Sequence, residues 1–81
     1  MMSLEMLREL FRRVAMSAVS RQISVSGRFV RRELGLTSFQ LGRLAREVEE
    51  GALPGVTVVR QGRKRRIRFV IDKQYWLDED N

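Results

Sequence analysis

The amino-acid sequence predicts a small α+β domain, and three features of its pattern carry that prediction. Apolar residues recur at helical spacing in three successive segments of the first 50 residues. A tight turn containing Gly35 separates the second of these segments from the third. The C-terminal part is rich in β-branched residues and is typical of a strand hairpin. Because the chain has only 81 residues, we expect a single domain over residues 1–81.

The first helix is expected over about residues 3–20. Its apolar side chains form one stripe, made of Leu4, Leu7, Phe11, Val14 and Ala18. After it, Ile23 and Val25 alternate with serines, which predicts a very short strand.

The second and third helices are expected over about residues 27–34 and 38–50. Ser26 is suited to capping the start of the second helix, and Gly35 suits the left-handed position that ends it. The sequence Thr-Ser-Phe-Gln at 37–40 fits a capping box, which is the strongest local start signal in the chain.

A β-hairpin is expected over about residues 56–71, and two registers are possible for its strands. A four-residue loop over 61–64 places Val58 opposite Ile67, whereas a two-residue turn places Val58 opposite Arg65. The four-residue loop brings apolar side chains together on one face, so we favour it. The basic loop then projects beyond the core.

The net charge of +6 is concentrated in this hairpin. Residues 56–73 contain seven Lys/Arg and one acidic residue. Residues 1–55 contain nine Lys/Arg and six acidic residues, and residues 74–81 contain three acidic residues and no Lys/Arg. A concentrated positive lobe is typical of a nucleic-acid-binding protein. The alternative is that these charges only form a solvated surface.

The order helix, short strand, helix, helix, hairpin resembles the winged helix-turn-helix superfamily. The residues that carry the resemblance are "ISVSGRFVRRELGLTSFQLGRLAREVEEG" and the hairpin "VTVVRQGRKRRIRFVI", and it covers residues 3 to about 72. Within this superfamily, the sequence is similar to archaeal transcription regulators. The resemblance implies three helices, a short strand and a C-terminal β-hairpin wing. It also implies that the third helix lies in the DNA major groove and that the wing binds the backbone or the neighbouring minor groove.

The resemblance and the charge pattern together give a set of candidate DNA-binding residues. They are Ser38, Phe39, Gln40, Arg43 and Arg46 on the third helix, and Arg60, Arg63, Lys64, Arg65, Arg66 and Arg68 on the wing. Arg43 is suited to donate two hydrogen bonds to one guanine, at its O6 and N7 atoms.

Several positions of the third helix have a second interpretation. Gln40 is at least as well suited to capping as to base contact. Phe39 either covers the second helix or contacts a thymine methyl. Gly42 permits close approach of the backbone, either to the second helix or to DNA. Three glutamates in the second half of the helix depart from a purely cationic recognition surface, namely Glu47, Glu49 and Glu50.

The tail over residues 72–81 contains Tyr75, Trp76 and Leu77, which are too apolar to be expected free in water. They either pack on the first helix near Phe11 or Val14, or form an interface with a second copy or another protein. We narrowly favour a homodimer through the first helix and the tail.

Other classes of function have little support. The chain has no histidine and no cysteine, which removes the commonest general base and the commonest metal ligand. No metal-binding spacing and no glycine-rich phosphate loop occurs. We therefore expect no enzyme activity, no cofactor, no metal and no small-molecule substrate. Because no signal peptide and no apolar span is evident, we expect a cytoplasmic, nucleoid-associated protein without membrane contact.

The sequence thus predicts a protein that binds double-stranded DNA, either as a transcriptional regulator or as a chromosome- or replication-associated factor. The alternatives are a protein–protein interaction module in a replication or transcription assembly, and an RNA-binding protein.

Overall fold

A computed structural model describes the backbone of residues 2–79 and the side chains of residues 3–76. The described residues form four helices and one three-stranded antiparallel sheet, so the α+β class is confirmed. In chain order the elements are α1 (Met2–Ser17), β1 (Gln22–Ser26), α2 (Gly27–Leu34), α3 (Ser38–Glu49), β2 (Val56–Gln61), β3 (Arg66–Asp72) and α4 (Lys73–Glu79).

The sheet has the order β1-β3-β2, so β3 lies in the centre. Across the sheet, Val25 and Val58 lie on either side of Phe69. The partners of Ile71 on the two neighbouring strands are Ile23 and Val56. Phe69 and Ile71 are fully buried, because this face of the sheet packs on the helices. The ring of Phe11 from α1 lies 5.3 Å from the ring of Phe69, which joins the helices to the sheet at the middle of the core.

The register predicted for the hairpin is wrong by two residues. Val58 lies opposite Phe69 rather than Ile67, and the four-residue loop spans 62–65 rather than 61–64. The observed register places Arg60 opposite Ile67 instead of Arg65, so that two like charges do not face each other, and it adds the apolar pair Val56 and Ile71. A shift of two residues keeps every side chain on its predicted face, because side chains alternate with a period of two.

The turn between α2 and α3 has the predicted local structure. Ser26 caps α2 by accepting a hydrogen bond from the Phe29 backbone N–H, at 3.1 Å. Gly35 adopts φ 66° and ψ 40°, the left-handed conformation that ends a helix at little steric cost to glycine. Both hydrogen bonds of the capping box are present, so Thr37 and Gln40 fix the start of α3.

Two helix boundaries differ slightly from the prediction. α1 ends at Ser17 instead of residue 20, and α3 ends at Glu49, with Glu50 as its C-cap. The segment between α1 and β1 contacts the start of α4 instead. The Lys73 side chain donates a hydrogen bond to the Ala18 carbonyl, and the Lys73 backbone N–H donates to the Arg21 carbonyl, at 2.9 Å.

The C-terminal segment is a helix rather than an extended tail. α4 packs on α1, and Trp76 is buried within its own chain, with 3% of its surface exposed. This corresponds to the first of the two arrangements considered for Trp76, and the dimer stays a prediction. Tyr75 is 40% exposed, and the side chain of Leu77 lies outside the described residues.

Candidate nucleic-acid interface

An open groove of about 930 Å³ lies between α3 and the basic hairpin, by which we mean β2, β3 and the loop 62–65. The groove brings together residues from two distant parts of the sequence. α3 contributes Ser38, Phe39, Gly42, Arg43, Arg46 and Glu47 to its walls, with Glu49 and Glu50 at the helix end, and the hairpin contributes Arg60 and Arg65.

The N-terminal half of α3 presents a mixed polar and aromatic surface to the groove. The Ser38 hydroxyl accepts a hydrogen bond from the Arg31 guanidinium, at 3.1 Å, which ties α2 to the start of α3. The Gln40 side-chain oxygen accepts from the Thr37 backbone N–H, at 2.8 Å. The capping interpretation of Gln40 is therefore confirmed, and Gln40 is not among the groove-lining residues.

Phe39 does not cover α2, so that interpretation of the residue is wrong. Its side chain is 72% exposed, because the position lies on the outer face of α3. The guanidinium carbon of Arg43, one turn further along, lies 6.0 Å from the centre of the Phe39 ring. The exposed aromatic ring and the arginine form one continuous surface on the wall of the groove.

Gly42 has open space on its outer side. A Cβ atom built there would meet no heavy atom within 4 Å, apart from its own helix backbone and chain neighbours. Close packing of α2 on Gly42 is therefore excluded. The smooth helix surface at Gly42 is turned to the groove instead.

Arg60 is held by an acidic residue at the far end of α3. Its Nη2 lies 3.0 Å from Oε1 of Glu49, and its Nε donates to Oε2 at 3.4 Å. This ion pair connects β2 to α3. The strand alternation contains a signal for it, because Arg60 lies on the same face as Val58 and so points towards the helices.

The other five cations of the hairpin lie in its loop or on the face of the sheet that points away from the helices. Arg65 lines the groove, and Arg63 and Lys64 are exposed at the loop tip. Arg66 and Arg68 alternate with buried residues and lie on the opposite face of the sheet. Arg68 donates from Nε to the Ser24 hydroxyl, at 2.9 Å. The candidate residues therefore do not form a single surface.

The groove itself has two ends of different charge. Arg43 and Arg65 belong to its cationic part, whereas Glu47 and Glu50 contribute negative charge near the end of α3. An anionic ligand is expected to bind at the cationic part, since like charges repel at the other end.

Over residues 3–76, whose side chains the structure describes, no three potential His, Cys, Asp or Glu ligands lie close enough together to hold a metal ion. Within the same part of the chain, every helix is too short or too polar to cross a membrane.

The fold and groove define a small α+β domain whose groove is lined by arginines, glutamates and one exposed aromatic ring. In comparisons with known proteins, no family model matches the chain, and no curated protein or solved structure matches it significantly.

Proposed function

We propose that this chain is a winged helix-turn-helix domain that binds double-stranded DNA, as a transcriptional regulator or a chromosome- or replication-associated factor. In this proposal the N-terminal half of α3 enters the major groove, and the loop 62–65 of the hairpin binds the phosphate backbone. A helix fits the major groove, and basic loops gain affinity by releasing counterions from phosphates.

The observation that supports the proposal most directly is the convergence of cations from two elements on one groove. Arg43 and Arg46 come from α3 and Arg65 comes from the hairpin loop, yet all three line the same open surface. Arg63 and Lys64 extend the positive charge beyond it. A rigid helix flanked by a basic loop is suited to contact both base edges and the adjoining backbone.

The glutamates near the end of α3 limit which part of this helix contacts the DNA in the proposed complex. Glu47 and Glu50 would repel phosphates if α3 lay along the groove for its whole length. We therefore place only the first half of α3, around Phe39 and Arg43, at the base edges. The acidic half is then angled away from the DNA.

The test is a salt titration of binding to duplex DNA, single-stranded DNA and RNA. The proposal expects duplex binding that is tightest at low salt, with affinity falling linearly on a log–log plot. Replacing Arg63, Lys64 and Arg65 together by alanine should weaken binding to all duplex sequences similarly. The slope should flatten by about 0.9 for each phosphate contact that is lost.

A control variant with the same change of net charge separates local contact from general attraction. Arg13, Arg21 and Arg32 are exposed and lie outside the groove, so replacing all three by alanine removes three positive charges elsewhere. It should alter the slope less than the loop variant does. Equal slopes for the two variants would contradict a binding role for the loop, and weak binding to all three nucleic acids would favour the protein-interaction alternative.

A further inference from the structure

Phe39 is an exposed aromatic ring on a groove that is otherwise mostly polar. It is 72% exposed, whereas the other described phenylalanines are 39% exposed (Phe29) or fully buried (Phe11 and Phe69). A phenyl ring that is largely exposed to water gains free energy when a ligand covers it with an apolar group. The groove therefore offers an apolar contact as well as charge.

Arg43 lies next to this ring on the same wall. Its guanidinium carbon is 6.0 Å from the ring centre, a distance at which a cation is attracted to an aromatic face. A cation–π attraction at this distance favours those arginine conformations that keep the guanidinium near the ring. A restricted guanidinium loses less conformational entropy when it makes a pair of hydrogen bonds.

Gly42 lies between these two residues in the sequence of α3, directly before Arg43, and also lines the groove. A glycine inside a helix is less favourable than alanine, and no contact among the described residues requires a glycine here. The absence of a side chain permits a ligand to approach the helix backbone beside Phe39 and Arg43.

From these three observations we infer that α3 recognises a thymine next to a guanine in duplex DNA. The thymine methyl is the apolar group that the major groove presents, and it would cover the Phe39 ring. Guanine O6 and N7 accept two hydrogen bonds from one guanidinium, here that of Arg43. This inference rests on the proposed function and adds the base step that is read.

The spacing of the two side chains is compatible with neighbouring base pairs. Residues four apart on a helix are about 6 Å apart along its axis, and stacked base pairs are about 3.4 Å apart. The arginine side chain is longer and more flexible than the phenyl ring, so it spans the difference.

The experiment compares two short synthetic duplexes of alternating thymine and guanine. In one of them every thymine is replaced by deoxyuridine, which pairs with adenine in the same way and lacks only the methyl group. The protein should bind the deoxyuridine duplex about fourfold more weakly, the effect of one buried methyl group. A third duplex with 7-deazaguanine removes the N7 acceptor and should weaken binding of the wild type but not of Arg43→Ala.

Two phenylalanine variants assign the methyl contact. Phe39→Ala should bind the thymine and deoxyuridine duplexes equally. Phe29→Ala is the matched control, because Phe29 is also partly exposed but does not line the groove. It should keep the preference for thymine.

The outcomes distinguish this inference from the proposed function. Equal binding of both duplexes by the wild type would overturn the methyl contact and leave duplex binding intact. Failure to bind any duplex at low salt would overturn both. Tighter binding of the single strand than of the duplex would also overturn the inference, since it indicates base stacking on the exposed Phe39 ring.

Discussion

The guanidinium of Arg60 faces the carboxylate of Glu49 in a two-point contact, with 3.0 Å between Nη2 and Oε1 and 3.4 Å between Nε and Oε2. The pair joins the second strand to the end of α3, across 11 positions of sequence. It pairs one of the six hairpin cations with an acid and connects the hairpin to the end of the helix. In the proposed complex, Arg60 thus positions the hairpin, and a phosphate has to compete with Glu49 for it.

Glu49→Gln should therefore strengthen DNA binding while it slightly weakens the fold. The ion pair is partly exposed, so its loss should lower the free energy of unfolding by no more than about 1 kcal/mol. Release of Arg60 and removal of one negative charge should raise duplex affinity at low salt by up to about fivefold.

Fluorescence anisotropy at several salt concentrations measures the effect of Glu49→Gln, with Glu33→Gln as its control. Glu33 is an exposed glutamate of α2 that does not line the groove. Weaker binding by Glu49→Gln than by Glu33→Gln would show that the orientation of the hairpin matters more than the charge of Arg60.

Gly42→Ala should stabilise the free protein and weaken its binding to DNA. The new methyl group meets open space, and alanine favours the helix interior by about 1 kcal/mol. If a ligand approaches the helix backbone at this position, the same methyl group obstructs it. Thermal denaturation and duplex binding measured on the same variant give the two results, and unchanged binding would contradict the close approach.

Gly27→Ala provides the opposite case in the same fold. Its Cβ would lie 2.8 Å from the Ile67 carbonyl oxygen and 3.0 Å from Cδ2 of Leu41, so the start of α2 would have to move away from the sheet. We expect a loss of about 1–3 kcal/mol in the free energy of unfolding. If Gly42→Ala raises the free energy of unfolding and Gly27→Ala lowers it, only Gly27 is required for packing within the chain.

The parts of the fold that the sequence predicts best are those set by local chemistry. The bounds of α2 are predicted to the residue, because Ser26 and Gly35 determine its two ends within one turn. The start of α3 follows from Thr37 and Gln40, which need only each other. These signals are complete within about four residues, so they can be recognised without knowledge of the rest of the chain.

The parts that sequence analysis missed depend on contacts between distant residues. In the observed hairpin register Arg60 lies opposite Ile67 rather than Arg65, and its charged partner is Glu49 of α3. The contact of Arg60 with Glu49 and the exposure of Phe39 depend on how the hairpin and α2 pack on α3. Periodicity assigns a residue to a face of its own element, but it does not say which element covers that face.

Arg65→Gly should leave the hairpin at least as stable and weaken DNA binding. Arg65 has φ 53°, a left-handed conformation that costs an L-residue about 1–2 kcal/mol and glycine much less. Its side chain nevertheless lines the proposed phosphate-binding surface. Gly62→Ala at φ 74° is the control, since it adds strain in the same loop without a change of charge. A variant Arg65→Gly that binds duplex DNA as tightly as the wild type would exclude Arg65 from the interface.

Trp76→Ala should destabilise the protein to the same extent at every protein concentration. Trp76 is 3% exposed within a single chain, in a helix that packs on α1, and the guanidinium carbon of Arg8 lies 5.8 Å from its ring. Truncation of such a side chain leaves a cavity and costs about 3–5 kcal/mol.

The indole N–H of Trp76 suggests a second variant, Trp76→Phe, as a control for Trp76→Ala. Trp76 Nε1 is buried and has no hydrogen-bond partner among the residues that the structure describes. Trp76→Phe removes this unsatisfied donor, which offsets part of the lost volume, so it should cost clearly less than the alanine variant. Melting temperatures measured over a wide range of protein concentration test both expectations. If the wild type melts higher as concentration rises and Trp76→Ala abolishes that dependence, Trp76 contributes to a dimer interface in addition to its packing within the chain.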